Sequence, residues 1–154
     1  MGVEELRRAI SGCKLLALDT MVFSYHLSNH PRYAPLTSAV LKAIESNQIA
    51  GLITTVTLAE VLTAPAQAGD RRAMWEYELY LTHFPNLRIV PLDVALARET
   101  ALVQAATGLR TPDAIQVAAA QLAGADAIVT NDRRWAGRVT EPTLVMLEEY
   151  AQAG

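Results

Sequence analysis

The stretch LRTPDAIQVAAAQLAGADAIVTNDRRW, residues 109–135, reads as a helix, a strand and a turn in immediate succession. Thr111 is placed to cap the helix, with Pro112 at its first position, where a missing N–H costs nothing and a fixed φ is already helical. The helix is predicted to run through Leu122 with an Ala-rich face that admits close packing. Ala127 to Thr130 is a short apolar strand, and Thr130-Asn131-Asp132 turns out of it. Two carboxylates are thereby placed, Asp113 in the first turn of the helix and Asp132 just beyond the strand.

The same alternation extends towards the N-terminus. Lys14 to Asp19 reads as a buried strand whose carboxyl end is marked by Asp19. A loop containing Asn29, His30 and Pro31 leads to an amphipathic helix over Leu36 to Ser46, with Leu36, Val40, Leu41 and Ile44 on one face. Ile49 to Val56 is rich in Ile, Thr and Val and reads as a second strand. Thr57 then looks like an N-cap, Glu60 stands at the capping-box position three residues on, and Pro65 is expected to end the helix. Asp70 caps a helix to about Phe84, Leu87 to Leu92 forms a strand, and Asp93 caps a helix that ends at Gly108. Thr143 to Leu147 reads as a last strand. Strands separated by helices need crossovers, so the pattern predicts a parallel sheet with helices on both faces. A single domain over residues 1–154 is expected.

Composition narrows the classes. With 51% hydrophobic and 19% charged residues the chain is too apolar for disorder. Its longest N-terminal apolar run, Leu15 to Phe23, is interrupted by Asp19, so no membrane span is expected. MGVEELRRAI carries two glutamates ahead of its arginines and does not resemble a secretory signal. Cys13 is the only cysteine, which excludes an internal disulfide and fits a reducing cytoplasm. A net charge of −3 argues against a sequence-blind nucleic-acid coat. It leaves room for a local basic rim, and eleven of the thirteen basic residues are arginines, whose planar fork suits phosphate.

Four acids draw attention because of where they fall. In an open parallel sheet, ligands bind beyond the carboxyl ends of strands where strand order reverses. Asp19 and Asp132 both follow apolar strands, and Glu60 and Asp113 are predicted in the first turns of two helices that can begin on that same side. Taken singly, each has a commoner role: Asp113 favours the helix dipole, Glu60 completes a capping box, and Asp19 and Asp132 make turns. Gathered together, they repel one another, push some pKa values upward and call for a hard divalent cation.

In that order, LLALDT, TTVTLAEVL, LRTPDAIQVAAAQLAGAD and AIVTNDRRW resemble the PIN domain, in particular its VapC toxin branch. The resemblance spans nearly the whole chain. It implies a three-layer α/β/α sandwich with a mainly parallel central sheet and a Mg²⁺- or Mn²⁺-dependent endoribonuclease of a type II toxin-antitoxin system. Asp19, Glu60, Asp113 and Asp132 match the family's acidic positions, with Asp19 and Asp113 as the preferred direct metal ligands. RNA as substrate, a cognate antitoxin and a homodimer are implied as partners, with the region near Leu36–Ser46 and Thr57–Ala64 as the place to look for the antitoxin. Met21 departs from the small polar residue that many relatives carry there.

Around the acids, Thr20 and Thr130 are candidate hydrogen-bond partners, and Arg110, Arg133 and Arg134 are candidate RNA contacts, with solvated surface arginines as the equally weighted alternative. His26, His30 and His83 share no metal-ligand spacing. Trp75, Tyr77 and Tyr80 lie in one predicted helix, where packing is favoured over base stacking because Met74, Tyr77 and Leu81 recur at helical spacing. Two other functions compete: a non-catalytic PIN-like scaffold binding RNA or protein, and a phosphatase-type phosphoryl-transfer enzyme with Asp19 as acceptor. The second normally needs another Asp two positions on, where Met21 stands. No glycine-rich phosphate loop and no nucleophile elbow occurs.

Overall fold

A computed structural model describes residues 2–151. The elements run α1 (Gly2–Ile10), β1 (Leu15–Leu18), α2 (Thr20–Leu27), α3 (Ala34–Glu45), β2 (Ala50–Thr54), α4 (Thr55–Gln67), α5 (Arg71–Thr82), β3 (Leu87–Val90), α6 (Val94–Thr107), α7 (Thr111–Ala123), β4 (Ala127–Thr130) and β5 (Thr143–Met146), with short 3-10 turns at Arg133–Trp135 and Leu147–Tyr150. The strands form one sheet in the order β3-β2-β1-β4-β5, and every neighbouring pair is parallel. The chain therefore winds outward from β1 to β3 on one side, then crosses back to place β4 and β5 on the other. Strand order reverses between β1 and β4, and the open crevice lies at their carboxyl ends.

Both faces of the central strands are covered, which is why β1 and β4 are apolar runs without a polar side, whereas the edge strand β3 carries an exposed Arg88. Leu16 and Leu18 of β1, Ile53 of β2 and Val129 of β4 point into a core shared with Leu6, Phe23, Val40, Ile44 and Leu81 from α1, α2, α3 and α5. Ala17, Leu52 and Ile128, the alternate positions, point into a second core built from Leu96 and Val103 of α6, Ala114, Val117 and Ala118 of α7, and Trp135. The small side chains of α7 bring its axis close to the sheet and to α6, as its Ala-rich face predicted. Gly51 allows another close approach: a Cβ there would lie 2.8 Å from Ile44 Cδ1 and 2.9 Å from Leu87 Cδ1.

Several sequence expectations need correction. The α1 helix was not anticipated, and α2 begins directly after Asp19, where a turn and loop were expected. The sequence of α2, TMVFSYHL, is apolar on most sides and offers little helical periodicity to detect. Residue 54, not 57, caps α4: the Thr54 hydroxyl accepts from the Thr57 N–H at 3.2 Å. Glu60 therefore stands in the second turn and not in a capping box. Pro65 does not end α4, which continues to Gln67; so near the C-terminus, the proline forfeits one helical bond and the buried ring packs instead. At α7 the cap is Arg110, and Thr111 is already helical. Asp70 and Asp93 do cap α5 and α6, accepting from Ala73 N at 3.0 Å and Leu96 N at 2.9 Å. Gly108 ends α6 at φ 70°, the left-handed conformation glycine adopts without cost.

Candidate metal centre

Asp19 is the fixed point of the crevice. Its backbone N–H extends the ladder by one step, donating to Val129 O at 3.0 Å, and its carbonyl accepts from Val22 N in the first turn of α2. The residue is 4% exposed. The Thr130 hydroxyl, at the end of β4, donates to Asp19 Oδ2 at 2.7 Å. Thr130 Oγ1 in turn accepts from the Asp132 N–H at 3.1 Å, so one threonine ties the end of β1 to the turn that carries Asp132. Burial pushes the Asp19 carboxyl up to about 6, Thr130 and the Thr20 backbone pull against that, and the nearby charges of Asp113 and Glu60 add to it.

Glu60 reaches the crevice from α4. Its Oε1 accepts from Thr20 Oγ1 at 2.8 Å and from Gln116 Nε2 at 3.4 Å, while Gln116 Oε1 accepts from the Thr20 N–H at 3.3 Å. Gln116 was not singled out from the sequence. The available signal was its position three residues after Asp113, which puts both on one face of α7.

Asp113 is also buried. Burial raises its pKa, Arg110 and Arg134 lower it, and Asp132 raises it. Arg110 Nε lies 3.7 Å and Arg134 Nη2 3.6 Å from Asp113 Oδ2. Asp132 is gripped far more closely: Arg134 Nε donates to both of its oxygens, at 3.0 and 3.2 Å, and Nη2 lies 2.5 Å from Oδ2. This pairing holds the Asp132 carboxyl below its ordinary range. Asn131 fixes the turn from outside, donating to the Tyr25 hydroxyl at 3.2 Å and accepting from the Glu148 N–H at 2.8 Å.

All four acids thus face one crevice at the strand-order reversal. Thr20 contacts Glu60 and Thr130 contacts Asp19. Arg110 and Arg134 reach the acids, whereas the charge of Arg133 acts on Glu148. The donor chemistry, carboxylate oxygens around a buried anion, fits a hard divalent cation. The spacing is not that of a closed chelate: among the described residues no three His, Cys, Asp or Glu side chains are grouped to hold a metal ion. Arg134 engages two of the carboxylates, and Thr20 with Gln116 engages a third.

The other candidates lie elsewhere. His26 stacks on Tyr80, and His30 packs against Tyr25 and Tyr33. Leu81 is fully buried and Tyr77 and Tyr80 pack against the first core, but Trp75 is 61% exposed and takes no part in it. A groove of about 310 Å³ lies between α2, α3 and α5, lined by His26, Ser38, Leu41, Lys42, Glu45 and Tyr80.

The fold recurs in solved structures. A toxin-antitoxin complex from Klebsiella pneumoniae contains a chain 20% identical, with TM-score 0.61, covering 86% of this chain and 97% of its own. VapBC2 from Rickettsia felis, bound to a DNA fragment from its promoter, gives 16% identity and TM-score 0.67 over 86% of this chain and 98% of that one. DNA-bound VapBC from Salmonella typhimurium gives 18% identity and TM-score 0.67 over 87% and 98%. No curated protein sequence matches the chain. The PIN domain family model matches residues 16–140, from β1 past the turn that carries Asp132 and Arg134. With every acid of the crevice inside that span, the chain belongs to the PIN domain family.

Proposed function

We propose that this protein is a Mg²⁺- or Mn²⁺-dependent endoribonuclease, the toxin of a toxin-antitoxin pair. One observation carries the reading: Asp19, buried where strand order reverses in a PIN fold, shares its crevice with Glu60, Asp113 and Asp132. A carboxylate kept there without a counter-charge is costly, and a cation relieves that cost. Asp19 and Asp113 are assigned as direct ligands, with Glu60 and Asp132 completing the set directly or through water. When bound, the ion supplies Lewis-acid charge and a water of lowered pKa for phosphodiester hydrolysis.

The chain's own residues do the positioning. Thr130 fixes the Asp19 carboxylate, and Thr20 with Gln116 orients Glu60. Arg110 and Arg134, both well exposed at the crevice mouth, suit the phosphates of an RNA strand. An antitoxin partner is supported by the structural neighbours, which are toxin-antitoxin complexes. Cytoplasmic action and a homodimer belong to the same reading. Among the described residues no helix is long and apolar enough to cross a membrane.

The test is purified protein with total RNA, with and without Mg²⁺ or Mn²⁺, beside Asp19→Asn. Cleavage that needs both the cation and Asp19 supports the reading; cleavage indifferent to both overturns it. A non-catalytic scaffold is favoured by one observation, the pairing of Arg134 with both Asp113 and Asp132. Calorimetry without cation uptake would select it.

A further inference from the structure

Arg134 holds an unusual place for an arginine beside a proposed cation site. It follows Asp132 by two residues in the one-turn 3-10 segment Arg133–Trp135, which is anchored by the fully buried Trp135. Its backbone N–H donates to Asp132 Oδ1 at 2.9 Å, so the turn is closed before the side chain acts. The guanidinium then folds back over the crevice, clasps Asp132 through Nε and Nη2, and extends Nη2 to within 3.6 Å of Asp113 Oδ2. Among the described residues it is the guanidinium that forms ion pairs with two of the acids. Arg110 pairs with Asp113, at 3.7 Å, and its charge acts on Asp132 from farther off.

We propose that Arg134 is a positioning residue that occupies the cation seat between Asp113 and Asp132 whenever the cation is absent, and so sets the crevice's divalent affinity by competition. The inference rests on the metal-dependent reading above. A guanidinium carries one diffuse charge, whereas Mg²⁺ carries two and draws oxygen ligands to about 2.1 Å. The ion therefore displaces the side chain once its concentration suffices. Displacement opens no void, because the Arg134 side chain is 54% exposed and swings into solvent. The device keeps Asp113 and Asp132 from repelling each other in the empty crevice, at the cost of weaker cation uptake.

The experiment is isothermal titration of MnCl₂ and MgCl₂ into metal-free wild type, Arg134→Gln and Arg134→Lys, each first shown folded by circular dichroism. Arg134→Gln removes the competing charge and should lower the Kd roughly fivefold, about 1 kcal/mol. Arg134→Lys keeps a charge without the two-pronged fork and should fall between wild type and Arg134→Gln. If wild type takes up the cation and Arg134→Gln binds it equally or more weakly, the competition is refuted and the metal-dependent reading survives. If neither protein takes up Mn²⁺ or Mg²⁺, both fail together.

Discussion

The crevice has an inner and an outer half, built on opposite principles. The inner half is Asp19 with Thr130, held at the ends of two central parallel strands, buried, and carrying a carboxyl pushed up to about 6. The outer half is Asp132 with Arg134, held by one short turn, with the guanidinium largely in solvent and the half-buried carboxyl pulled below the ordinary range by it. Asp113 lies between them, raised by burial and lowered by the arginines. The inner half is rigid and short of positive charge, and the outer half supplies that charge on a side chain that can leave. A site of this kind is preformed where geometry matters and adjustable where charge must be exchanged.

The sharpest way to break this contrast is to neutralise the inner anion. Asp19→Asn should cut metal-dependent RNA cleavage by at least about a hundredfold, the several kcal/mol a metal-held phosphate is worth, with circular dichroism unchanged. Asp132→Asn should cost less, about tenfold. Equal losses at the two positions would erase the distinction between the halves.

A second test uses pH without metal. The folded value of Asp19, about 6, lies above its ordinary 3.8, so the folded state holds the proton more tightly than the unfolded chain. The stabilisation this brings is complete below about pH 4 and is lost as pH rises through 6, amounting to roughly 3 kcal/mol. Asp132 has the opposite sign: its depressed pKa contributes stability above its ordinary value of 3.8, and that contribution is lost as pH falls. Chemical denaturation in chelator across pH 4–7 should show wild type losing ground to Asp19→Asn as pH rises. A parallel pH dependence in the two proteins would contradict the burial argument.

Thr130→Val probes the link between the halves. It leaves Asp19 without its hydroxyl donor and the Asp132 N–H without its acceptor, and should cost about 1–3 kcal/mol in urea unfolding, while Asp19 titrates still higher by NMR. The smallest effect is expected for Arg134→Gln, which should leave the melting temperature of the metal-free protein nearly unchanged, because an ion pair whose guanidinium is more than half in solvent is screened and contributes little. A large loss of stability there would mean that the outer half is structural after all.

Much of this was legible in the chain. Asp70, Asp93 and Gly108 punctuate their helices as expected, because capping is a local transaction between a side chain and backbone groups a few residues away. Apolar runs bounded by turns placed all five strands to within a few residues. The failures were local signals with two readings. Thr54 and Thr57 are both competent caps, and the choice fell to Thr54 because the chain leaves β2 there. In α2, an apolar sequence without periodicity concealed a helix that Asp19 opens, whereas α1 was overlooked although Val3, Leu6 and Ile10 recur at helical spacing, with acids in the first turn and arginines in the last. The PIN motifs carried the identity of the acids, since each acid alone reads as a cap or a turn.

By itself, then, the sequence determined the order of the strands, of the helices from α3 onward, and the assignment of acids to strand ends and helix turns, because backbone propensity and hydrophobic period act over a few residues. Only the tertiary structure decided which groups those acids meet. The Thr130 hydroxyl reaches Asp19 across 111 positions of chain, and Gln116 reaches Glu60 across 56. Such contacts follow from strand order and helix approach, which are settled by burying both faces of the sheet at once. The same packing sets the charge of each carboxylate: Asp19 and Asp132 are alike as residues, and deep burial at the one, against the Arg134 guanidinium bonded to the other, drives their pKa values apart.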